Sequence, residues 1–260
     1  MQEWFEDLWK MRSQWKCITT NGICNSQGLA IMGAGVAKEA ATRHPRLYKL
    51  LGRHLQENGN VPGCLLQFDR NEIWSFPTKN HWKDPSSLDL IRKSAQILYR
   101  SWVNQNGLRD NIEVAIPRPG CGLGGLDWAD VKAVLEQELP DNHFRAVAPA
   151  SYLPVKGEMY RYYQGGRYRI LGAAEPVDSY TMPEQTLFFA TPSKSFPLQD
   201  ELIRVHQVGT WLFYEAKSPS IAPQILLYQC IKRNIMFART APSFLESKEG
   251  VPKFVKISDA

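Results

Sequence analysis

Short β-rich runs alternate with longer stretches of helical period from Trp15 to about Ala148. Such alternation is typical of an α/β layer fold, in which helices pack on a sheet. The predicted strands span residues 17–20, 64–68, 73–76, 112–116 and 144–148. The predicted helices span residues 35–42 and 46–57, followed by one capped by Ser86 or Ser87 and one capped by Asp127. The strands 64–68 and 73–76 would form a hairpin that ends in Pro77, Thr78 and Lys79.

The pattern changes near Tyr152, Leu153 and Pro154, where a stretch containing Pro and Gly precedes a segment rich in Tyr, Phe and Val. Composition shifts and linkers of this kind mark domain boundaries. We therefore predict a first domain over residues 1–153 and a small β-rich domain over residues 154–260. The predicted strands of the second domain span residues 168–171, 187–190, 210–214, 225–231 and 253–257.

The composition indicates a globular protein. With 260 residues, of which 43% are hydrophobic, the chain can bury a sizeable core and is not a disordered or fibrous sequence. Its apolar runs are far shorter than the roughly 20 residues that cross a bilayer, and Met1 is not followed by a basic, then apolar leader. We expect a soluble cytoplasmic protein without membrane contact. The formal net charge of +5 is mild for a dedicated nucleic-acid binder.

Five cysteines at scattered spacings, without a CxxC pair, argue against a disulfide framework and against a zinc knuckle. The histidines His44, His54, His143 and His206 have no metal-ligand partner at suitable spacing. The sequence thus predicts reduced thiols, no metal site and no cofactor.

A first glycine-rich segment, Met32 to Ala37, lies between a predicted strand and a predicted helix. Glycines let backbone amides approach a ligand closely, and the following helix presents unpaired N–H groups to an anion. The segment therefore favours a phosphate or diphosphate ligand, although a Gly-Ala-Gly turn before a helix is often only a tight connection.

A second glycine-rich segment, Pro117 to Trp128, also lies where a strand leads into a helix. Ligands of open α/β sheets bind at the carboxyl ends of strands, so the two segments could hold a diphosphate between them. The alternative is a close turn that places Leu123 and Leu126 in the core. Neither segment matches the P-loop or the full GxGxxG pattern, which disfavours a nucleotide kinase or a dehydrogenase.

Taken together, the ordered motifs over residues 1–150 resemble the macrodomain family of ADP-ribose-binding proteins. The resemblance rests on the segments Asp7 to Trp9, Ile18 to Gly22, Met32 to Ala37, Phe76 to Trp82 and Pro117 to Trp128. Within the family, the chain looks closest to the branch of terminal ADP-ribose glycohydrolases and of antitoxins that remove ADP-ribose from DNA bases. The resemblance implies a three-layer α/β/α fold with a mixed sheet.

The resemblance also implies ligand contacts. Asp7 would accept a hydrogen bond from the adenine amino group, with the Leu8 backbone alongside, although Glu6 stands where the family has glycine. Asn21 would orient the distal ribose. The residues implied to surround the phosphates are Gly33, Ala34, Gly35, Val36, Gly120, Cys121, Gly122, Leu123 and Gly124. The simpler alternatives are a solvated first turn for Asp7 and an ordinary Asn-Gly turn for Asn21.

Lys79 is the implied catalytic residue. In the glycohydrolase branch, a lysine at this Thr-Lys position attacks the opened distal ribose and forms an intermediate like a Schiff base. That role needs a neutral amine, which nearby positive charge from His81, Lys83 or Arg118 would favour. The alternative is a surface lysine at the end of a hairpin.

Gly124 departs from the family pattern, because relatives with a second catalytic acid carry it directly after the Gly-Cys-Gly-Leu run. We expect catalysis without that acid, with Asp127 as a helix cap and Asp84 as a solvated loop residue. Cys121 is interpreted as a small packing residue rather than a reactive thiolate. Trp82 would form a stacking platform or, alternatively, close the core at a hairpin edge.

The second domain resembles a small bacterial β-domain of uncharacterised function. Its alternating aromatic and basic residues predict either a nucleic-acid or protein partner, or a hairpin with cross-strand Tyr–Arg pairs. For the whole chain, the sequence predicts an enzyme that binds ADP-ribose and hydrolyses it from modified DNA or protein. The alternatives are a non-catalytic ADP-ribose reader and a phosphatase acting on ADP-ribose 1″-phosphate.

Overall fold

The structure is a computed structural model that describes residues 1–106, 112–177, 188–192, 202–208, 211–216, 222–245, 247–248 and 251–257. The chain divides into two compact units, Met1–Gln2 with Glu6–Ala148, and Glu3–Phe5 with Pro149–Ala260. The predicted boundary between residues 153 and 154 stays a prediction. Within the described ranges, no helix is both long and apolar enough to cross a membrane.

A six-stranded mixed sheet organises the first part of the chain. Its strands are β1 (Gln2–Phe5), β2 (Trp15–Asn21), β3 (Gly63–Phe68), β4 (Asn71–Lys79), β5 (Val114–Pro117) and β6 (Phe144–Ala148), in the order β1-β6-β5-β2-β4-β3. Strand β2 runs parallel to both β4 and β5, and β5 runs parallel to β6. Strand β3 pairs antiparallel with β4, so the predicted hairpin is confirmed.

Four helices accompany this sheet, and the helical predictions are confirmed to within a few residues. They are α1 (Gly35–Arg43), α2 (Leu47–Asn58), α3 (Leu88–Asn106) and α4 (Trp128–Glu138). Helix α2 ends at Gly59, whose φ of 78° is costly for residues with a Cβ. Helix α4 begins after Asp127, whose carboxylate accepts a hydrogen bond from the Ala129 N–H at 2.7 Å. This contact confirms the predicted cap.

Two buried clusters connect the helices to the sheet. Cys17 and Trp74 belong to a cluster with residues of α3 and α4, whereas their chain neighbours Ile18 and Ile73 belong to a cluster with residues of α1 and α2. Successive side chains on a strand point to opposite faces of a sheet. Strands β2 and β4 therefore contribute apolar side chains to both clusters.

The predicted small β-rich domain is present in the second unit. Its strands are β7 (Met159–Tyr162), β8 (Arg167–Val177), β9 (Phe188–Pro192), β10 (Ile203–Val208), β11 (Trp211–Glu215), β12 (Ile225–Cys230), β13 (Ile235–Thr240), β14 (Ser247–Lys248), β15 (Val251–Pro252) and β16 (Phe254–Ile257), with one helix, α5 (Ala241–Leu245). Eight of them form a sheet in the order β11-β10-β9-β13-β12-β8-β7-β16, and β11 also pairs with β8. Leu187 and Thr210, the predicted first residues of two strands, lie outside the described residues.

Candidate active site

Three neighbouring parallel strands end at one edge of the first sheet. In the parallel register of β2 and β4, Asn21 lies opposite Lys79. Strand β5, which ends at Pro117, pairs with β2 on its other side. Because parallel strands share the direction of their carboxyl ends, the segments that follow Asn21, Lys79 and Pro117 start from the same edge. Ligands of open α/β sheets bind at this edge.

Asn21 anchors the loop that leads from β2 to the first glycine-rich segment. Its Nδ2 donates to the Ile31 carbonyl at 2.9 Å, and its Oδ1 accepts from the Ile23 N–H at 3.0 Å. The next residue, Gly22, donates its N–H to the Asn80 carbonyl at 3.0 Å. Asn21 thus positions the loop through both ends of its amide, and its implied contact with the ribose stays a prediction.

The first glycine-rich segment leaves open space beside its backbone. Gly33, Ala34 and Gly35 are exposed, and a Cβ added to Gly33 or Gly35 would meet no atom within 4 Å. Ala34 is the N-cap of α1 and provides no side-chain hydrogen bond to the first helical amides. The first amides of a helix have no partner within the helix and favour an anion. The backbone here is accessible to a phosphate.

The second glycine-rich segment is more closely packed. A Cβ on Gly124 would lie 2.2 Å from Ser86 Oγ and 2.5 Å from the Gly120 carbonyl oxygen. Gly120 itself has a φ of 78°, and a Cβ there would lie 2.9 Å from Leu126 Cδ1. By contrast, a Cβ on Gly122 would meet no atom within 4 Å. A Cβ on Gly125 would likewise meet no atom within 4 Å, so the segment combines a tight turn with two open backbone positions.

Leu123 does not lie in the core, because 82% of it is exposed. The alternative interpretation of this segment as a turn that buries both leucines is therefore wrong for Leu123. Leu126 does pack against the buried cluster of α3 and α4.

The start of α3 connects the second glycine-rich segment to the end of β4. The Ser86 N–H donates to the Gly124 carbonyl, and the Ser87 N–H donates to the Thr78 carbonyl, both at 2.9 Å. Further along the helix, Ser94 Oγ donates to the Pro77 carbonyl at 2.9 Å. These bonds bring the turn around Gly124 next to the strand end that carries Lys79.

Lys79 is half-buried at this edge. Its Nζ donates to the backbone carbonyl of Asp84 at 2.7 Å, and its own carbonyl accepts from Asn60 Nδ2 at 3.1 Å. The sequence did not predict either partner of Lys79. Asn60 comes directly after the predicted end of a helix and carried no signal of its own, and Asp84 was expected to be only a solvated loop residue. Asp84 is exposed as expected, but its carbonyl holds the amine.

The three cationic residues considered as neighbours of Lys79 have aromatic or backbone partners of their own. Lys83 Nζ lies 5.1 Å from the centroid of the Trp82 ring, and the Arg118 guanidinium lies 4.5 Å from that of Trp128. His81 accepts a hydrogen bond from the Lys83 N–H through Nδ1 at 3.1 Å. None of these three contacts involves Lys79.

Trp82 presents its ring to solvent. Half of the residue is exposed, at 50%, and its ring stacks on His81 with centroids 5.5 Å apart. The alternative that Trp82 closes the core is therefore wrong. An exposed indole is suited to stacking against a base, and that role stays a prediction.

Asp7 and Leu8 lie in the short segment after β1. The Asp7 carboxylate accepts from the Trp9 N–H at 2.9 Å and caps a 3-10 helix, Leu8–Lys10, in which Leu8 is buried. This helix contacts β5, and Trp9 Nε1 donates to Glu39 of α1 at 3.0 Å. The segment therefore lies beside elements that carry both glycine-rich loops. The implied adenine contact of Asp7 stays a prediction.

Cys121 is not a reactive thiolate at neutral pH. Burial is the main cause that raises the pKa of its thiol to about 11; the nearby Arg118 opposes this shift. Its sulfur lies 3.6 Å from the Pro119 carbonyl, and the side chain packs against the cluster of α3 and α4. The interpretation of Cys121 as a packing residue agrees with these contacts.

A separate open depression of about 410 Å³ lies between α2 and the loop that joins β2 to α1. Its lining residues are Gln27, Gly28, Leu29, Lys49, Arg53 and Gln56. None of the residues predicted to contact ADP-ribose lines this depression.

Comparison with known proteins gives relatives for part of the chain. A DNA ADP-ribosyl glycohydrolase from Mycobacterium tuberculosis is 32% identical over 122 residues, which are 44% of this chain and 34% of the relative. The ADP-ribose glycohydrolase OARD1 from Bos taurus is 30% identical over 106 residues, which are 41% of this chain and 65% of the relative. No protein-family model matches the chain.

A search of solved structures finds the macrodomain of Mycobacterium tuberculosis DarG, with a TM-score of 0.46 and 28% identity, covering 57% of this chain and 96% of that one. The chain spans about a third of the length of the curated DNA ADP-ribosyl glycohydrolases that it matches. The resemblance seen in the motifs is confirmed for part of the chain: this protein is similar to the macrodomain branch that contains the ADP-ribosyl glycohydrolases.

Proposed function

We propose that this chain is an ADP-ribosyl hydrolase, which binds ADP-ribose at the carboxyl edge of the first sheet and releases it from a modified macromolecule. The observation that carries this proposal is the parallel register of β2 and β4, which sets Asn21 opposite Lys79 at the edge where both glycine-rich segments begin. Curated relatives named as ADP-ribosyl glycohydrolases support the reaction class. No cofactor takes part, and ADP-ribose is the ligand and product.

The diphosphate would bind to backbone amides of the two glycine-rich segments. Gly33 and Gly35 offer space on one side, and Gly122 offers space on the other. Amides in such positions donate to phosphate oxygens, and the N-terminus of α1 adds a favourable dipole. Asp7 would accept from the adenine amino group, since an exposed carboxylate at the start of a short helix can still accept a second hydrogen bond.

The fold that we propose around this site is the three-layer α/β/α arrangement. It is supported by adjacent strand residues that belong to different buried clusters. Cys17 and Trp74 belong to the cluster of α3 and α4, and their neighbours Ile18 and Ile73 belong to the cluster of α1 and α2. In this arrangement, α1 and α2 cover one face and α3 and α4 cover the other, which leaves the carboxyl edge open for a ligand.

Lys79 would act as the nucleophile. This role requires the neutral amine, and the hydrogen bond from Nζ to the Asp84 carbonyl would use one of its N–H groups and keep the lone pair available for attack. The lone pair attacks the anomeric carbon of the distal ribose, the bond from that carbon to the leaving group breaks, and the leaving group takes a proton from the amine. The bond from the same carbon to the ring oxygen then breaks, the oxygen takes the second amine proton, and a carbon–nitrogen double bond forms in the opened ribose. Water then adds to the resulting carbon–nitrogen double bond, which releases ADP-ribose and restores the amine.

We propose a modified DNA base as the substrate class, because the curated relatives with the longest matches are named for DNA. A protein carboxylate is the other candidate. Trp82 supports the choice of DNA, since a half-exposed indole three residues after the catalytic lysine could stack on the attached base.

A non-catalytic ADP-ribose reader is the second candidate. Gly124 favours it, since the position that carries a second acid in some macrodomains has no room for a side chain here. A reader would hold ADP-ribose through the same amides and would show no turnover. The phosphatase alternative predicts release of inorganic phosphate from ADP-ribose 1″-phosphate.

Turnover on ADP-ribosylated thymidine DNA and on an ADP-ribosylated glutamate peptide, measured side by side, tests this function. We expect release of ADP-ribose from the DNA substrate, loss of turnover by at least about a hundredfold in Lys79→Ala, and calorimetric ADP-ribose binding in both proteins. Lys93→Ala, at an exposed lysine of α3, is the matched control and should keep turnover. Tight binding without turnover would establish the reader instead, and absence of ADP-ribose binding would refute both.

A further inference from the structure

Three arginines form an exposed face on the hairpin of β7 and β8 in the second unit. Arg161 pairs directly with Arg167 in the antiparallel register, and Arg169 lies two residues further along β8. Residues that are directly opposite, or two apart along a strand, share one face of a sheet. All three side chains are exposed. We call this group the arginine face.

The aromatic residues of the same hairpin lie on the other face. Tyr160 pairs with Tyr168, and both pack against the buried cluster that contains Tyr228 and Phe254. The alternative of cross-strand Tyr–Arg pairs is therefore wrong, because the register pairs tyrosine with tyrosine and arginine with arginine. Tyr160 and Tyr168 therefore contribute to the core of this region, whereas the three arginines are exposed to solvent.

The guanidinium groups of the arginine face are not paired with carboxylates in the described part of the second unit. Among the residues that the structure describes, no ion pair engages these three guanidinium groups. Two carboxylates of the same unit have other cationic partners, since Glu158 contacts Lys256 and Glu215 contacts Arg204.

Like charges directly opposite each other destabilise a sheet. The pairing of Arg161 with Arg167 breaks this local rule, and natural proteins break such rules mainly at functional sites. A negatively charged partner would convert the repulsion into attraction.

The turn between β12 and β13 extends the positive surface. The Ile231 N–H donates to the Arg167 carbonyl at 3.1 Å, which holds this turn beside the hairpin. Lys232 and Arg233, the next two residues of the turn, are exposed. Tyr163, at the tip of the β7–β8 hairpin, is 39% exposed. Five cations and an accessible aromatic ring thus occur in one part of the second unit.

We propose that the arginine face binds the sugar-phosphate backbone of single-stranded DNA. Neighbouring strands lie about 4.8 Å apart, and alternate residues along one strand lie about 6.7 Å apart. The three arginines are therefore closely spaced, and each guanidinium can donate two hydrogen bonds to one phosphate. Exposed tyrosine beside such an array is suited to stacking on an unpaired base. This proposal does not depend on ADP-ribose binding or on hydrolysis.

Fluorescence anisotropy tests the proposal by measuring the affinity of the full chain for a labelled single-stranded DNA of about 20 nucleotides without ADP-ribose. The affinity is measured at salt concentrations from about 50 to 200 mM. The variant combines Arg161→Gln, Arg167→Gln and Arg169→Gln. Each phosphate contact contributes about 0.7 to the slope of log affinity against log salt, so the slope should become shallower by about 2. The affinity at about 100 mM salt should fall at least about tenfold.

The matched control removes the same charge from the first unit, through Arg46→Gln, Lys49→Gln and Arg53→Gln at the start and along the exposed side of α2. It should bind DNA like the unmodified protein. Thermal unfolding of the α2 variant should match the parent, because its three side chains are exposed. The arginine-face variant should be at least as stable as the parent, because it removes the repulsion between Arg161 and Arg167.

Wild-type binding by the arginine-face variant, or an equal loss in the α2 variant, would overturn the proposal. Equal competition by polyglutamate at matched charge would also overturn it and would point to an acidic protein. ADP-ribose calorimetry on the same samples separates this test from the proposed function, since either activity can fail while the other remains.

Discussion

The two glycine-rich segments at the carboxyl edge of the first sheet use glycine in different ways. At Gly33 and Gly35, a side chain would enter open space, whereas at Gly124 a Cβ would lie 2.2 Å from Ser86 Oγ. The glycines of the first segment therefore keep room for a ligand, whereas Gly124 in the second segment keeps room for the protein itself. Similar sequence patterns at equivalent strand ends can thus arise from different physical demands.

The close packing at Gly124 explains why this chain has no acidic residue after the Gly-Cys-Gly-Leu run. The sequence shows only that Gly124 stands where some macrodomains have a second acidic residue. The structure adds that Ser86 donates its N–H to the Gly124 carbonyl and occupies the space that a side chain would need. In this loop conformation, glycine at position 124 is a packing requirement.

The largest expected effect comes from Gly124→Ala. A contact of 2.5 Å to the Gly120 carbonyl cannot be relieved by moving a flexible side chain, so the turn must shift. We expect the free energy of unfolding to fall by about 3 kcal/mol, measured by denaturant titration. Gly122→Ala in the same segment is the control, and it should change stability by less than about 0.5 kcal/mol. Equal stability of the two variants would contradict the packing role of Gly124.

A smaller effect, on binding rather than on stability, is expected for Gly33→Ala. Its added methyl group meets no protein atom within 4 Å but would occupy space assigned to the diphosphate. Calorimetry should show ADP-ribose affinity reduced about tenfold, or about 1.4 kcal/mol, with an unchanged unfolding midpoint. Unchanged affinity would remove the first segment from the binding site.

The smallest effect is expected for Cys121→Ser, which should keep turnover at neutral pH because the thiol is protonated there. The pKa of the folded thiol is raised from 9.0 to about 11, so the unfolded state loses its proton first as the pH rises. The contribution of Cys121 to stability is therefore present below pH 9 and is lost between pH 9 and about 11.

Denaturant titrations of the parent and Cys121→Ser across this pH range measure that contribution as the difference between the two proteins. Alkylation mapped by mass spectrometry gives an independent measure, with the exposed thiol of Cys64 as the internal reference. Faster alkylation of Cys121 than of Cys64 near pH 7 would show that its thiol is activated.

The elements of the first unit were largely predictable from sequence because each has a strong local signal. Helix α2 has a regular leucine spacing and a glycine stop, and α4 has an Asp127 cap with a direct hydrogen bond. Strands β2 and β4 contain β-branched and aromatic residues and are bounded by turn formers. Such signals depend only on neighbours along the chain.

The contacts that define the candidate site were less predictable because they join distant residues. Ser86 and Gly124 are far apart in sequence, and Asn60 reaches the Lys79 carbonyl from the loop after α2. The pairing of Arg161 with Arg167 likewise depends on the register of a hairpin that the sequence offered only as an alternative, with Tyr–Arg pairs. Register follows from turn geometry and core packing, which a local pattern does not specify.

Reductive trapping tests directly whether Lys79 forms a covalent intermediate with ADP-ribose. The protein is incubated with ADP-ribosylated DNA in the presence of borohydride, which reduces a carbon–nitrogen double bond to a stable secondary amine, and the adduct is located by peptide mass mapping. We expect ADP-ribose attached to Lys79, no adduct in Lys79→Ala, and an unchanged adduct in Lys93→Ala. An adduct at another lysine, or turnover without any adduct, would contradict it.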